Sequence, residues 1–187
     1  RMIERHLPGL PYTLSHQINP SLREYRRASS AALDASLKPL MSTYLGDLET
    51  GLRDAGLAGR LLVVTSRGAL LDAAAVAAAP IHALRSGPAM APAAGRHYAR
   101  DETGDGNAIV IDVGGTTCDV SLVSGSQMAW TRESWVGQPY IGHMTGFPSL
   151  DIRSIGSGGG SLARVDNGGL LHVGPRSAGL KSRKVLS

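Results

Sequence analysis

The chain has 187 residues, a formal net charge of +4, one cysteine, one phenylalanine and two tryptophans, with hydrophobic residues making up 42% of it. That length and aliphatic content suffice for a packed core, and a lone Cys118 excludes an internal disulfide and agrees with a reducing cytosol. No apolar run reaches membrane-spanning length, no charged-then-apolar leader opens the chain, and Lys181, Arg183 and Lys184 near the end carry most of the charge excess, so neither a membrane span nor a basic, aromatic-laced nucleic-acid surface is indicated.

Residues 1–27 mix Pro8, Pro11 and Pro20 with isolated apolar positions, which predicts an extended connector. From Ser29 or Ser30 as N-cap, Leu33, Leu37, Leu40, Met41, Tyr44, Leu45, Leu48 and Leu52 recur at helical spacing. This predicts one amphipathic helix with an apolar stripe, kinked or broken at Pro39 and ended by Gly56 and Gly59. Residues 61–65 read as a buried strand and Ser66, Arg67 and Gly68 as a turn. Asp72 is a candidate cap for an Ala-rich helix over 73–79, which Pro80 stops, and the small side chains predict that it packs closely on a sheet. Residues 81–84 read as a strand running into Ser86, Gly87 and Pro88, with a helix starting near Ala89 or Pro92. That order makes either an anion site at a helix N-terminus or an ordinary connection. Residues 100–107 are a polar loop.

The stretch 108–123, AIVIDVGGTTCDVSLV, carries the most chemistry. Its first four residues are apolar and too few for a helix, so they read as a buried strand that delivers Asp112 to its carboxyl end. Gly114 and Gly115 turn the chain, strand chemistry resumes at Cys118, and a second turn at Gly125 leads to residues 128–130. The result is a three-stranded antiparallel meander. A Gly-Gly turn has no Cβ to block an anion, and its successive N–H groups can face one concavity; Thr116 and Thr117 add hydroxyl donors. A carboxylate beside a phosphate is repulsive unless a cation lies between, so Asp112 suits Mg²⁺ or its water, with Asp119 a second outer ligand. The competing reading is an Asp-flanked turn whose acids cap free N–H groups.

Residues 130–147 are rich in glycine and aromatic side chains and suit either a substrate or subunit interface or a packed irregular loop. His143 in it lacks a ligand partner at metal spacing, which favours a structural or solvent-facing role. Gly156, Gly158, Gly159 and Gly160, with Ser157 and Ser161, come directly after Ile152 to Ile155 and read by themselves as a flexible hairpin corner. Asp166, Asn167, Gly168 and Gly169 between two apolar runs predict a hairpin.

The run DVGGTTCDVSLV resembles the phosphate-binding hairpin of the actin, Hsp70 and sugar-kinase ATPases. Taken with REYRRASSAALDASLKPL at 23–40, RSGPA at 85–89 and DIRSIGSGGGSLARVDNGGLLHVGPRSAG at 151–179, the chain resembles the hydantoinase A and 5-oxoprolinase family, which includes the ATP-binding subunits of acetone and acetophenone carboxylases. The resemblance implies an α/β fold: an actin/Hsp70-like (RNase H-like) ATPase lobe, incomplete here, with a mixed sheet containing the antiparallel meander and helices flanking it. It implies a connector over 1–28, a partial hydantoinase A/oxoprolinase domain over 29–179 and a divergent basic tail over 180–187. ATP and Mg²⁺ are the implied cofactors. Gly114, Gly115, Thr116 and Thr117 would contact phosphate, Gly158, Gly159, Gly160 and Ser161 would face the same ligand, Asp112 would be the catalytic, metal-linked carboxylate, and Asp112 and Asp119 the metal ligands. The implied activity is ATP-dependent opening of a cyclic amide in the cytoplasm, with a second subunit or fused hydantoinase B-like domain as partner. The alternatives are the ATP-hydrolysing subunit of a ketone carboxylase, and an inactive remnant or nucleotide-binding module, because a first phosphate hairpin would precede residue 1 and the adenosine-contacting segment would follow residue 187.

Overall fold

The computed structural model describes residues 2–102 and 104–178; the expected basic tail over 180–187 lies outside the described residues. In chain order the elements are α1 (Met2–His6), α2 (Ser15–Ile18), α3 (Glu24–Asp54), β1 (Leu62–Val64), β2 (Leu70–Asp72), α4 (Ala73–Ala78), a 3₁₀ turn (Pro80–Ala83) and α5 (Met90–Glu102). There follow β3 (Ala108–Val113), β4 (Cys118–Ser124), β5 (Gln127–Met128), β6 (Trp130–Thr131), β7 (Trp135–Val136), β8 (His143–Met144), β9 (Ser149–Leu150), β10 (Ile152–Ile155), β11 (Ser161–Val165) and β12 (Leu171–Ser177). They group into two compact units, one reaching to Ala89 and including Trp130–Leu150, the other made of Met90–Ala129 and the chain from Asp151 onward.

In the first unit the N-terminal connector carries two short helices, α1 and α2, and α3 begins before the expected serine caps and runs through Pro39 without a break. Part of the reason is a polar ridge on its first half that the apolar pattern does not reveal. Ser30, Asp34 and Lys38 recur every four residues and so share one face. Ser30 Oγ donates to the Thr145 carbonyl at 2.5 Å and accepts from Asn19 Nδ2 at 3.1 Å. Asp34, fully buried, accepts from Thr13 Oγ1 at 2.5 Å and from the Ile81 amide at 2.9 Å, and Lys38 Nζ donates to the Tyr12 carbonyl at 2.8 Å. The apolar stripe is only partly used. Leu45 is buried with Ala73 and Val76 of α4, whereas Leu40 and Tyr44 face water.

The Ala-rich helix α4 packs its small side chains on α3 as well as on the β1–β2 hairpin, and Asp72 caps nothing; its carboxylate pairs with Arg60. Residues 81–84 do not form the expected strand. The chain is tied at Ile81 to Asp34 and at the His82 carbonyl to the Ser66 amide, and these contacts hold a 3₁₀ turn that begins at Pro80. The connection into α5 therefore runs from a 3₁₀ turn and not from a strand, with the Ala89 amide bonded to the Ser86 carbonyl. The Gly- and aromatic-rich segment is a packed irregular region, with β6 paired to β9 and β7 to β8 and with Thr145, Phe147 and Leu150 buried.

In the second unit β3, β4 and β5 form the expected antiparallel meander, but its third strand is split. β5 pairs with Val123 and Ser124 of β4, and β10 continues along the same strand from Ser121 to Cys118. The Ala129 amide bonds to the Leu122 carbonyl and the Asp151 amide to the Ala129 carbonyl, so residues 130–150 leave and re-enter at one point of the ladder. All pairings among the described residues are antiparallel, so the mixed sheet expected for this lobe is not seen among them.

Helix α5 lies on β3, where Gly95 leaves room for Val110; a Cβ at Gly95 would stand 2.2 Å from Val110 Cγ2. Only one face of the sheet is covered in this way. Strands alternate their side chains, so Ile109, Ile111 and Val113, with their cross-strand neighbour Leu122 and with Ile155, share the opposite face and are mostly exposed. The expectation of a buried strand at 108–111 is thus met on one side alone. The β11–β12 hairpin forms at the predicted Asp-Asn-Gly-Gly turn.

Two outcomes follow from these contacts. Asp34→Ala strands the buried Ile81 amide and should cost about 1–3 kcal/mol in chemical denaturation, against about 0.5 kcal/mol or less for Arg53→Ala, whose pair with Glu49 is exposed. Asp166 is held below the usual aspartate range, first by the His172 imidazole at 2.6 Å and then by the Leu170 amide. A depressed acid contributes stability above its unfolded pKa of about 3.9 and loses it as pH falls through the lower folded value. Amide protection factors in the hairpin should therefore be fully present at neutral pH and fall only on strong acidification, as read by exchange corrected for the intrinsic rate at each pH.

Candidate functional site

The β3–β4 connection is a tight turn closed by one hydrogen bond, from the Gly114 amide to the Thr117 carbonyl at 2.9 Å. The reciprocal bond is not made, and the Gly114 carbonyl accepts instead from the Gly159 amide at 2.9 Å. The amides of Gly115, Thr116 and Thr117 donate to no group among the described residues. Unpaired N–H groups at a bend are costly unless water or an acceptor reaches them, and here the bend is exposed at Gly115 and Thr116. A Cβ built on Gly115 would meet nothing within 4 Å, so the space beside Gly115 is open, whereas the Thr117 nitrogen lies close to Gly158. Neither glycine of the turn has positive φ. What glycine supplies is bare backbone beside the second glycine cluster.

That cluster sits directly against the turn. The Gly159 amide bonds to the Gly114 carbonyl and the Gly160 amide to the Gly115 carbonyl at 2.7 Å. A Cβ at Gly158 would stand 2.5 Å from the Gly114 oxygen and 2.8 Å from the Thr117 nitrogen, and one at Gly160 3.0 Å from the Gly115 oxygen. The remaining donors are also committed: the Gly158 amide to Ser161 Oγ at 2.8 Å, and the Ser161 amide to the Gly158 carbonyl at 2.9 Å. The Gly160 carbonyl accepts from the Ala178 amide at 2.8 Å and from Ser177 Oγ at 3.1 Å. The sequence suggested that Gly158, Gly159, Gly160 and Ser161 face a ligand. In the structure the Gly159 and Gly160 amides are bonded to the Gly114 and Gly115 carbonyls, and those of Gly158 and Ser161 are bonded within the cluster.

Asp112 and Asp119 are direct partners across β3 and β4, so both carboxylates leave the same face of the sheet side by side. Asp112 is exposed; Asp119 is half-buried and its Oδ1 has no hydrogen-bond partner. Like charges facing each other weaken a ladder, and the orphaned oxygen adds a desolvation cost. A hydrated divalent cation relieves both, so this donor set fits Mg²⁺, which keeps several waters and takes one or two carboxylates with phosphate oxygens. No group of three or more ligating side chains occurs among the described residues, and His143 on β8 is exposed. Cys118 lies between Val113 and Ile155 in the ladder, as a small hydrophobe would.

The sequence places the turn between the two acids without giving their register, and it does not single out Ser177 and Ala178, which bond to the Gly160 carbonyl on the outer side of the cluster. The available signal was the run of three glycines, which calls for a backbone neighbour at van der Waals contact.

With this geometry in view, the chain can be set beside known proteins. A family model described as hydantoinase/oxoprolinase matches residues 27–186. Over 178 residues, the chain is 33% identical to a caprolactamase subunit alpha from Pseudomonas jessenii, covering 95% of this chain and 25% of that protein. It is 34% identical to an acetophenone carboxylase gamma subunit from Aromatoleum aromaticum, covering 94% of this chain and 23% of that protein. Similarity to 5-oxoprolinase of Saccharomyces cerevisiae is 30%, across 94% of this chain and 13% of that one. The chain thus spans a quarter or less of the length of these relatives. The fold is shared with a nucleotide-free acetone carboxylase structure at a TM-score of 0.65, 23% identity, 88% of this chain and 22% of that one. The matched residues run through α3, the glycine turn and its brace, and the chain belongs to the hydantoinase/oxoprolinase family.

Proposed function

We propose that this chain is the phosphate-binding part of an ATP-dependent cyclic-amide hydrolase of the hydantoinase/5-oxoprolinase type, within an actin-like ATPase lobe. The observation that supports the reading is the set of undonated amides at Gly115, Thr116 and Thr117, the first two on exposed residues, at a turn whose carbonyls accept from Gly159 and Gly160. In this reading those amides and the hydroxyls of Thr116 and Thr117 bind the terminal phosphates, Asp112 with Asp119 holds the hydrated Mg²⁺, and residues 158–161 brace the turn without touching the ligand through their amides. ATP, when bound, supplies a phosphoryl group that activates a poor amide electrophile. The protein's share is positioning and electrostatic stabilisation, which dominate phosphoryl-transfer catalysis.

The similarity to an acetophenone carboxylase subunit supports a second reading, the ATP-hydrolysing subunit of a ketone carboxylase. Both readings place the reaction in a larger assembly in the cytoplasm, with a second subunit or fused domain, as the subunit names of two relatives suggest. No helix among the described residues is long and apolar enough to cross a membrane. Amide-substrate-dependent phosphate release by the protein with its partner subunit favours the hydrolase; bicarbonate dependence favours the carboxylase. If neither occurs while Mg-ATP still binds, the chain serves as a nucleotide-binding module.

Titrating Mg-ATP into the chain should shift the backbone amide resonances of Gly115, Thr116 and Thr117 first, and unmoved resonances there would refute the assignment. Asp112→Asn should weaken Mg-ATP about tenfold while leaving metal-free ATP nearly unaffected. Gly158→Ala drives a Cβ into the Gly114 carbonyl and should cost about 1–3 kcal/mol of stability together with ATP binding. Gly159→Ala, whose Cβ would lie 3.8 Å from the nearest atom, should change stability by no more than about 0.5 kcal/mol.

A further inference from the structure

A concentration of positive charge lies in the first unit, built from none of the residues of the glycine turn or its brace. Arg67, His82 and Arg132 line one cavity of about 180 Å³, and none of its lining residues is acidic. Neither arginine has an ion-pair or hydrogen-bond partner among the described residues, although the nearby Arg26 is paired with Glu133 at 3.1 Å. Surface arginines are often unpaired. Here, however, two of the three basic groups are oriented by aromatic rings, not by acids. The Arg67 guanidinium stands 5.2 Å from the centre of the Trp130 ring, which leaves its in-plane N–H donors unspent. The His82 imidazole meets Phe147 edge-on, with centroids 5.1 Å apart.

The electrostatics follow the same pattern. His82 is held below its ordinary value, first by burial and then by the Arg67 charge, and Asp34 offsets this only in part. The imidazole is therefore neutral at neutral pH and offers one N–H donor beside two obligate cations. A site with two unneutralised guanidinium groups and a neutral donor suits a dianion better than a single carboxylate. Guanidinium forks also match the spacing of phosphate oxygens. At this volume the cavity is below the roughly 300–1,000 Å³ of clefts that enclose a whole drug-sized ligand, so it fits a head group and not a nucleotide.

We propose that the cavity lined by Arg67, His82 and Arg132 is a phosphate-binding site distinct from the glycine turn, taking either inorganic phosphate or the phosphoryl group of a small monoester. It does not rest on the ATP reading, because none of its residues belongs to the turn.

The test is titration of the 187-residue chain with inorganic phosphate, methyl phosphate and acetate at about pH 7, followed by calorimetry and by the His82 ring resonances. Phosphate should saturate and move the His82 signals, and acetate should bind at least about tenfold more weakly. Arg67→Gln and Arg132→Gln, both at exposed side chains, should each weaken phosphate about tenfold. Arg164→Gln, which removes the same charge from the other unit, should leave it unchanged. Arg67→Lys keeps the charge but loses the fork and should be intermediate. Equal affinity for phosphate and methyl phosphate assigns a monoester, and preference for phosphate assigns the free ion. The proposal is overturned if His82 does not respond, if acetate matches phosphate, or if the two Gln variants bind as the parent does. Movement of the Gly115–Thr117 amides without His82 would assign phosphate to the glycine turn alone and reject the cavity site.

Discussion

Two hydrogen bonds between bare stretches of backbone set the character of the candidate site. The amides of Gly159 and Gly160 reach the carbonyls of Gly114 and Gly115 and fix the β3–β4 turn against the second glycine cluster. Three amides of the bend, at Gly115, Thr116 and Thr117, donate to no group among the described residues. At Gly158 no side chain fits where the two stretches of backbone meet, because even a methyl group there would overlap the Gly114 oxygen. The glycines at 158–160 and those at 114–115 are thus one device in two pieces, separated in sequence by β4, β5, an excursion of the chain and β10.

That excursion explains how one polypeptide builds two units. The third strand of the meander stops after Met128, the chain departs to form the paired short strands of residues 130–150, and the ladder resumes at Ile152. The ladder needs only the Ala129 and Asp151 amides to carry it across the break. A long insertion is tolerated there because loop-closure cost rises slowly with length once the two ends are fixed. The first unit, in turn, is organised by buried polar contacts along α3 as much as by its apolar residues, with Asp34 and Ser30 each satisfied by several partners. Buried polar groups with their hydrogen bonds complete are specific in a way that a leucine stripe is not, since they accept few alternative registers.

The paired acids at 112 and 119 show why register matters to chemistry. Seven residues apart in sequence, they become directly opposite only because the turn consumes four residues between two strands. A slip of one residue would send one carboxylate to the far face and remove the pair.

Local composition determined the elements whose shape depends on near neighbours: the glycine turn between two β-rich runs, the Asp-Asn-Gly-Gly hairpin, the strand at 62–64 and the helix ended by Gly56, which has positive φ. The hairpin that carries Gly114 to Thr117 between Asp112 and Asp119 was legible because a short glycine turn fixes its strands by counting residues. Tertiary structure alone decided the rest. It turned residues 81–84 into a 3₁₀ turn through the distant carboxylate of Asp34, left one face of β3 exposed while α5 covered the other, and set Gly158–Ser161 to brace the turn. The physical reason is common to all three: periodicity records which side of an element is apolar, but which carbonyl an amide meets depends on segments far away in the chain.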